Sequence, residues 1–182
     1  MTASLSSEYR SKQPLSAEHL GELHAVPLAS YPPSLHLVSP EGQLQIHTAP
    51  YRGSFSVVLS EALRAAGLGR QVMVAQFLKG GVAQGAKGKV QLCGRLEWLR
   101  PSISSCLAEK AEDKSSNKNN SSDLKAVREI WEVCRKRILT GNIDQLVLDE
   151  VGLATALGYL KENDLINTLE QRPEAMDIII TG

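Results

Sequence analysis

The sequence has no excess of charge of either sign, because its 182 residues include 20 Lys and Arg and 20 Asp and Glu. Without a strong positive field, neither nucleic acid nor an anionic membrane is expected as a partner. No apolar segment approaches the roughly 20 residues needed to cross a bilayer, and the N-terminus lacks the apolar stretch of a signal peptide. These absences predict a cytoplasmic protein.

The sequence is also poor in cysteine, with three widely spaced residues, Cys93, Cys106 and Cys134. Their number is odd, no two of them form a CxxC pair, and no histidine lies near them. Neither a disulfide framework nor a zinc site is therefore predicted. What the chain does have is a length suited to one domain with a substantial core.

Composition divides the chain into an arm and a domain. Residues 1–40 are rich in Ser, Pro and His, and we expect them to form a loosely structured N-terminal arm. The domain is expected over residues 41–182. Within it, residues 113–123 (DKSSNKNNSSD) contain nothing to bury, and they are predicted to form a mobile surface loop.

Apolar and amphipathic segments alternate from residue 44 onward. The patterns predict strands at residues 44–48, 71–77, 90–92, 145–148 and 177–180, and helices at 56–66, 123–139 and 162–171. The first strand alternates and should have one buried face, whereas several later strands are apolar on both faces. Such strands are typical of a parallel sheet covered by helices on both sides. An α/β three-layer sandwich with a mainly parallel central sheet is therefore predicted.

Two carboxylates, Asp149 and Glu150, directly follow the apolar strand at 145–148. Open α/β folds bind their ligands at the carboxyl edge of the sheet, where such residues lie. Asp149 could hold a hydrated Mg²⁺ ion, and Glu150 could orient a water molecule, so both are candidate catalytic residues. A pair of solvated acids at a strand end explains the same pattern.

The connection between the first strand and the first helix has the position of a phosphate-binding loop. In such loops backbone N–H groups and the helix N-terminus hold phosphates, a Lys neutralises them, and a Ser or Thr holds magnesium. Here the loop is residues 49–56 (APYRGSFS), which contain one glycine, Gly53. On this local pattern alone, an ordinary strand-to-helix turn is the simpler interpretation.

Seven short segments are spread over most of the predicted domain. They are 46–48 (IHT), 61–69 (EALRAAGLG), 74–80 (VAQFLKG), 148–150 (LDE), 158–160 (GYL), 172–174 (RPE) and 179–182 (IITG). In this order they resemble the P-loop type of cob(I)alamin (corrinoid) adenosyltransferases, and the resemblance covers about residues 44–182. It implies a P-loop NTPase-like (RecA-like) fold, ATP with Mg²⁺ and a corrinoid as ligands, transfer of an adenosyl group from ATP to reduced cobalt, and a homodimer.

The chain departs from the family in the phosphate loop. Ser54 stands where the family has its phosphate-binding Lys, and Phe55 and Ser56 stand where it has two Thr residues, the first of which holds magnesium. Gly53 is retained, and Arg52 replaces an earlier Lys. Losing a charge-assisted contact to phosphate typically costs about 1.5–3 kcal/mol, and bulky side chains resist the backbone conformation of such a loop. A tight triphosphate site is therefore not expected.

A second departure concerns the corrinoid. The family's G-F-T-W-E segment corresponds to residues 94–98 (GRLEW), which keep an aromatic residue, Trp98, and have Leu96 for the Phe. The resemblance implies a corrinoid contact for Trp98, although a core position is equally consistent with the sequence. Two functions stay open: an adenosyltransferase with Arg52 as substitute cation, and an inactive family member acting as a corrinoid-binding, regulatory or protein-interaction module.

Overall fold

The computed structural model describes residues 41–53, 55–108 and 119–182. The predicted N-terminal arm at 1–40, Ser54 and residues 113–118 of the predicted loop lie outside this part of the chain. Within the three described ranges, no helix is both long enough and apolar enough to cross a membrane.

The described residues form six strands and four helices that alternate for most of the chain. In chain order they are β1 (Leu44–His47), α1 (Ser56–Gly67), β2 (Val72–Gln76), β3 (Val90–Leu92), β4 (Leu96–Leu99), α2 (Asn119–Thr140), β5 (Gln145–Asp149), α3 (Val151–Ala156), α4 (Glu162–Glu170) and β6 (Asp177–Thr181).

All six strands belong to one sheet in the order β1-β6-β5-β2-β4-β3. Every neighbouring pair is parallel except β3 and β4, which are antiparallel. The central strands β2 and β5 are buried along their whole length, as their apolar sequences predicted. The mainly parallel sheet predicted from the sequence is therefore confirmed.

Each face of the sheet packs against a separate apolar core. Because successive strand residues point to opposite faces, Val72 and Val74 of β2 face α1, while Met73 and Ala75 face α2 and α4. The α1 side is the smaller core, and the α2 side contains most of the large apolar residues. Helices on both sides of a central sheet make the predicted three-layer sandwich.

Two short elements were missed by the sequence prediction, and one boundary was wrong. The four-residue strand β4 follows the turn at Cys93 and Gly94, both of which have positive φ, and its alternation is hidden by a charged Glu97. The six-residue helix α3 follows Glu150 immediately. Helix α2 begins at Asn119 rather than at residue 123, so residues 119–123 of the predicted loop are helical. Asn and Ser, which suggested a loop by composition, are also favoured residues at helix starts.

Strand β1 exists as predicted, but the expectation of one buried face is wrong. Leu44 and Ile46 lie on the same face and are 40% and 66% exposed. The reason is position in the sheet, because among the described strands β1 is at one edge and pairs with β6 alone. An alternating pattern shows that two faces differ, but it does not show whether a helix covers either of them.

Candidate functional site

Polar side chains of neighbouring strands lie level with one another at the carboxyl edge of the sheet. The pairing of β2 with β5 places Gln76 opposite Asp149, and the pairing of β1 with β6 places His47 opposite Thr181. The Thr181 hydroxyl reaches the Asp149 carboxylate across β5 and β6, and Arg100, directly after β4, reaches Gln76. Parallel strands bring these residues together, and this edge is where such folds bind ligands.

The Asp149 carboxylate is 1% exposed and accepts three hydrogen bonds. Gln76 Nε2 lies 2.6 Å and Lys79 Nζ 2.8 Å from its Oδ2, and Thr181 Oγ1 lies 3.0 Å from its Oδ1. The same Thr181 hydroxyl accepts a hydrogen bond from the backbone N–H of Glu150 at 2.8 Å. Asp149 is therefore a buried, paired carboxylate and not a solvated acid at a strand end.

Glu150 is equally buried, and its partner comes from the phosphate loop. Its side chain is 2% exposed and forms a bidentate pair with Arg52, at 2.7 Å from Nε to Oε1 and 2.9 Å from Nη2 to Oε2. The Arg52 guanidinium also donates to the carbonyl oxygens of Leu107 at 2.7 Å and Leu78 at 3.4 Å. These four hydrogen bonds hold the phosphate loop to the carboxyl edge of the sheet.

The backbone of Glu150 is in the left-handed region, with φ 60° and ψ 24°. A side chain other than glycine typically costs about 1–2 kcal/mol there. The hydrogen bonds to Thr181 and Arg52 fix this conformation. The pairing with Glu150 also raises the pKa of Arg52 from its ordinary value, against the opposing effect of burial. The guanidinium is therefore a permanent positive charge beside both carboxylates.

Gly53, Phe55 and Ser56 of the predicted phosphate loop have different surroundings from Arg52. Gly53 has φ 86°, a value that favours glycine. Phe55 precedes α1 and packs against the core on the α1 side, and Ser56 is the exposed first residue of the helix. Arg52 is the residue of the predicted loop whose side chain forms an ion pair with Glu150.

Trp98 lies within β4, and its indole is tied to the same network. Its Nε1 donates to Gln76 Oε1 at 2.9 Å, and Arg100 Nε donates to the same oxygen at 2.6 Å. The Arg100 guanidinium carbon lies 5.7 Å from the centroid of the indole ring, a cation–π distance. Gln76 thus connects Trp98 and Arg100 to Asp149 through one side-chain amide.

Comparison with known proteins agrees with this arrangement. Residues 40–182 match the family described as ATP:corrinoid adenosyltransferase BtuR/CobO/CobP. This chain belongs to that family. The match covers nearly all of the domain described above, and the mainly parallel sheet is the architecture that the resemblance implied. The predicted P-loop NTPase-like fold and the predicted family are both confirmed.

Individual relatives of this adenosyltransferase-family chain are distant. It is 27% identical to the corrinoid adenosyltransferase of Escherichia coli over 142 residues, 78% of this chain and 67% of that one. For the Salmonella typhimurium corrinoid adenosyltransferase CobA the identity is 26% over the same shares. For the Pseudomonas aeruginosa corrinoid adenosyltransferase it is 23%, over 78% and 66%. The match thus spans about two thirds of the length of these relatives.

In this family member, Asp149 and Glu150 do not form a Mg²⁺ site while they are paired with Lys79 and Arg52. Mg²⁺ requires near-octahedral oxygen ligands, several of them waters. Lys79 Nζ lies 2.8 Å from Asp149 Oδ2, and both oxygens of Glu150 are bonded to Arg52. Across the described ranges, no three side chains of His, Cys, Asp or Glu form a metal-binding group. Two protein cations supply the positive charge that a metal would otherwise bring.

Sequence reasoning found Arg52, Asp149 and Glu150 but missed the residues that connect them. Gln76 and Lys79 belong to the 74–80 segment that carried the family resemblance, so that segment was the available signal. Thr181 lies in another such segment, 179–182. Nothing in the sequence pointed to Arg100, because its role depends on the register of β4 against β2.

Proposed function

We propose that this corrinoid adenosyltransferase-family chain does not transfer an adenosyl group and acts as a non-catalytic binding module, with a corrinoid as the ligand class that its family implies. The observation that carries the proposal is the bidentate pair of Arg52 with Glu150. The cation best placed to substitute for the missing Lys is already bound inside the protein.

The hydrogen bonds of Arg52 explain why a nucleotide competes poorly for it. The guanidinium gives two of its five N–H donors to a buried carboxylate and others to two backbone carbonyl groups. Moving it toward a phosphate would leave Glu150 buried without its partner. Breaking this partly buried ion pair should cost about 2–3 kcal/mol, which offsets the gain of about 1.5–3 kcal/mol from one phosphate contact.

The adenosyltransferase reaction of the family is the second candidate, and one observation favours it. The positive charges of Arg52 and Lys79 lie beside Asp149 and Glu150 at the edge where the family binds ATP. If a triphosphate displaced the Glu150 carboxylate from Arg52, Arg52 would neutralise the triphosphate from two positions before the usual Lys. The reduced cobalt would then attack the 5′ carbon of ATP and release triphosphate.

Anaerobic incubation with MgATP and chemically reduced cob(I)alamin separates the two candidates. We expect no adenosylated product in the absorbance spectrum from the unchanged protein. Hydroxocobalamin alone should nevertheless quench Trp98 fluorescence in a Trp131→Phe background. Product that disappears in Asp149→Ala would overturn the proposal in favour of the enzyme. Quenching unchanged by Arg100→Ala would remove the support for corrinoid binding near Trp98.

Other parts of the proposal come from the sequence and the family resemblance. They are a homodimer, a cytoplasmic location, and small molecules rather than nucleic acid or membranes as partners. Size-exclusion chromatography with light scattering tests the first of these directly. A monomeric mass across the micromolar range would contradict it.

A further inference from the structure

A cavity lies beside helix α2, and the ion pairs of the carboxyl edge are not part of it. Its volume is about 770 Å³, and it lies between residues 84–87, in the connection from β2 to β3, and the first half of α2. None of Arg52, Asp149 or Glu150 lines it. It is therefore a different site from the one to which the family resemblance points.

One wall of the cavity is a single face of α2. Leu124, Arg128 and Glu132 recur at intervals of four residues, and Lys125 lies beside them on the same side. Leu124 and, on the opposite wall, Ala86 pack against the larger apolar core. The cavity thus combines a small apolar floor with a largely charged rim, which suits a ligand that has both an apolar and a charged part.

The charges around the cavity favour an anion. Three cations line it, Lys87, Lys125 and Arg128, and none of them forms an ion pair with any residue in the described part of the chain. Two carboxylates also line it, but Glu132 is already paired with Arg135 at 3.2 Å. Among the lining residues that the structure describes, cations therefore outnumber carboxylates.

A side chain that lines the cavity carries a hydrogen-bond acceptor without a donor. Gln84 lines the cavity, and its Oε1 is buried with no hydrogen-bond partner among the described residues. Burying such an oxygen without a donor typically costs about 1–3 kcal/mol, so a ligand that donates to it, once the amide turns toward the cavity, would recover that cost. An N–H or O–H group beside the apolar part of a ligand suits this position.

We propose that this cavity binds an anionic organic molecule with an aromatic or alkyl body and one N–H or O–H donor. The anion, a carboxylate, sulfonate or phosphate, is held by Lys125 and Arg128, and the donor bonds to Gln84. A volume near 770 Å³ lies within the range of small-molecule sites. This inference does not rest on the proposed function, because it uses none of the same residues.

The fluorescent probe 8-anilinonaphthalene-1-sulfonate, which has an aromatic body, an N–H and a sulfonate, tests the proposal. We expect one probe molecule to bind per chain, more weakly at high salt because the contacts are charged. The double variant Lys125→Ala, Arg128→Ala should weaken binding at least about tenfold, since each lost charge-assisted contact is worth about that factor. Lys136→Ala, an exposed lysine on the same helix outside the cavity, should change it less than about twofold.

An uncharged analogue and a second variant separate the two contacts. N-phenyl-1-naphthylamine keeps the N–H and the aromatic body, so its binding should be insensitive to the double variant. Gln84→Leu keeps the cations and should weaken both probes. The proposal would be overturned by equal losses of probe affinity in the double variant and in Lys136→Ala. It would also be overturned by several equivalent probe sites per chain, or by no binding of the sulfonate to the unchanged protein.

Discussion

Arg52 and Glu150 share one ion pair but differ in their access to solvent. The Arg52 side chain is 32% exposed, whereas that of Glu150 is 2% exposed. Removing the arginine would leave a carboxylate buried among groups that cannot solvate it. The pair therefore contributes more to the stability of the domain than a surface ion pair of the same length.

Replacing Arg52 with Ala should lower the free energy of unfolding by about 2–3 kcal/mol, because Glu150 loses its partner in a buried position. Arg135→Ala is the matched control. It removes an exposed ion pair with Glu132 and should cost less than about 0.5 kcal/mol. Urea denaturation of the three proteins measures both values. Equal losses in the two variants would show that the Arg52 pair is not stabilising the fold.

Two buried glutamines on neighbouring strands test the hydrogen-bond network. Gln76→Met should destabilise the protein by about 2 kcal/mol, since Trp98 and Arg100 lose their acceptor and Asp149 loses a donor. Gln145→Met should be neutral or slightly stabilising, because Gln145 Oε1 has no partner among the described residues. Thermal unfolding compares the two. A larger loss of stability in Gln145→Met than in Gln76→Met would show that the hydrogen bonds of Gln76 do not stabilise the domain.

Cys134 differs from the other cysteines in its surroundings. It is fully buried in α2, and burial raises the pKa of its thiol well above the ordinary range, so it stays protonated and inert in the folded protein. At pH 8 we expect a disulfide reagent to modify Cys93 and Cys106 quickly, because both are exposed, and Cys134 only after urea is added. Fast modification of all three cysteines without urea would show that Cys134 is not buried in solution.

The same thiol adds a pH dependence to stability. The folded pKa lies above the unfolded value of about 8.5, so only the unfolded chain releases the proton between the two. The contribution of the Cys134 thiol to the free energy of unfolding is therefore complete below about pH 8. It decreases as the pH rises above the unfolded pKa of the thiol. Cys134→Ala should remove this decrease.

Among the described elements, β1 is an outer strand with little packing. Ile46 of β1 lies opposite Ile180 of β6 in the parallel register, yet Ile46 is 66% exposed and Ile180 is buried. Because the two side chains are chemically identical and lie on neighbouring strands, the difference in their exposure comes from the position of each strand in the sheet. The two isoleucines therefore allow an outer strand to be compared with an inner one.

Ile180→Thr should lower the free energy of unfolding by about 2 kcal/mol, since it removes buried apolar surface and adds a hydroxyl in the core. Ile46→Thr should change it by less than about 0.5 kcal/mol, because the side chain is largely in water already. Chemical denaturation gives both numbers. A comparable loss at Ile46 would mean that another surface covers β1 in solution.

For the whole molecule, the thermal response to nucleotide tests whether the phosphate loop is functional. A ligand present at 100 times its Kd adds about 2.7 kcal/mol, which raises Tm by several degrees in a domain of this size. We expect 5 mM MgATP to change Tm by less than about 1 °C. In the variant Ser54→Lys with Phe55→Thr, MgATP should raise Tm. A clear shift in the unchanged protein would contradict the proposed loss of ATP binding.

The strand and helix pattern could be read from the sequence because each long element has its own apolar periodicity. The central strands β2 and β5 were predicted close to their observed limits for this reason. Short elements were missed because β4 and α3, with four and six residues, contain too few positions for a period to appear. The start of α2 was misplaced because its first five residues are all polar, so that no apolar periodicity marks them.

The sequence alone determined the family and the α/β architecture, and it predicts the loss of the usual Lys and Thr from the phosphate loop, because these depend on the identity and order of nearby residues. The tertiary structure decided which distant residues become partners. Arg52 and Glu150 are separated by 98 positions, and only the close approach of the phosphate loop to the end of β5 makes them partners. The exposure of β1 was decided in the same way, since it depends on the order of strands in the sheet and not on the pattern within any one of them.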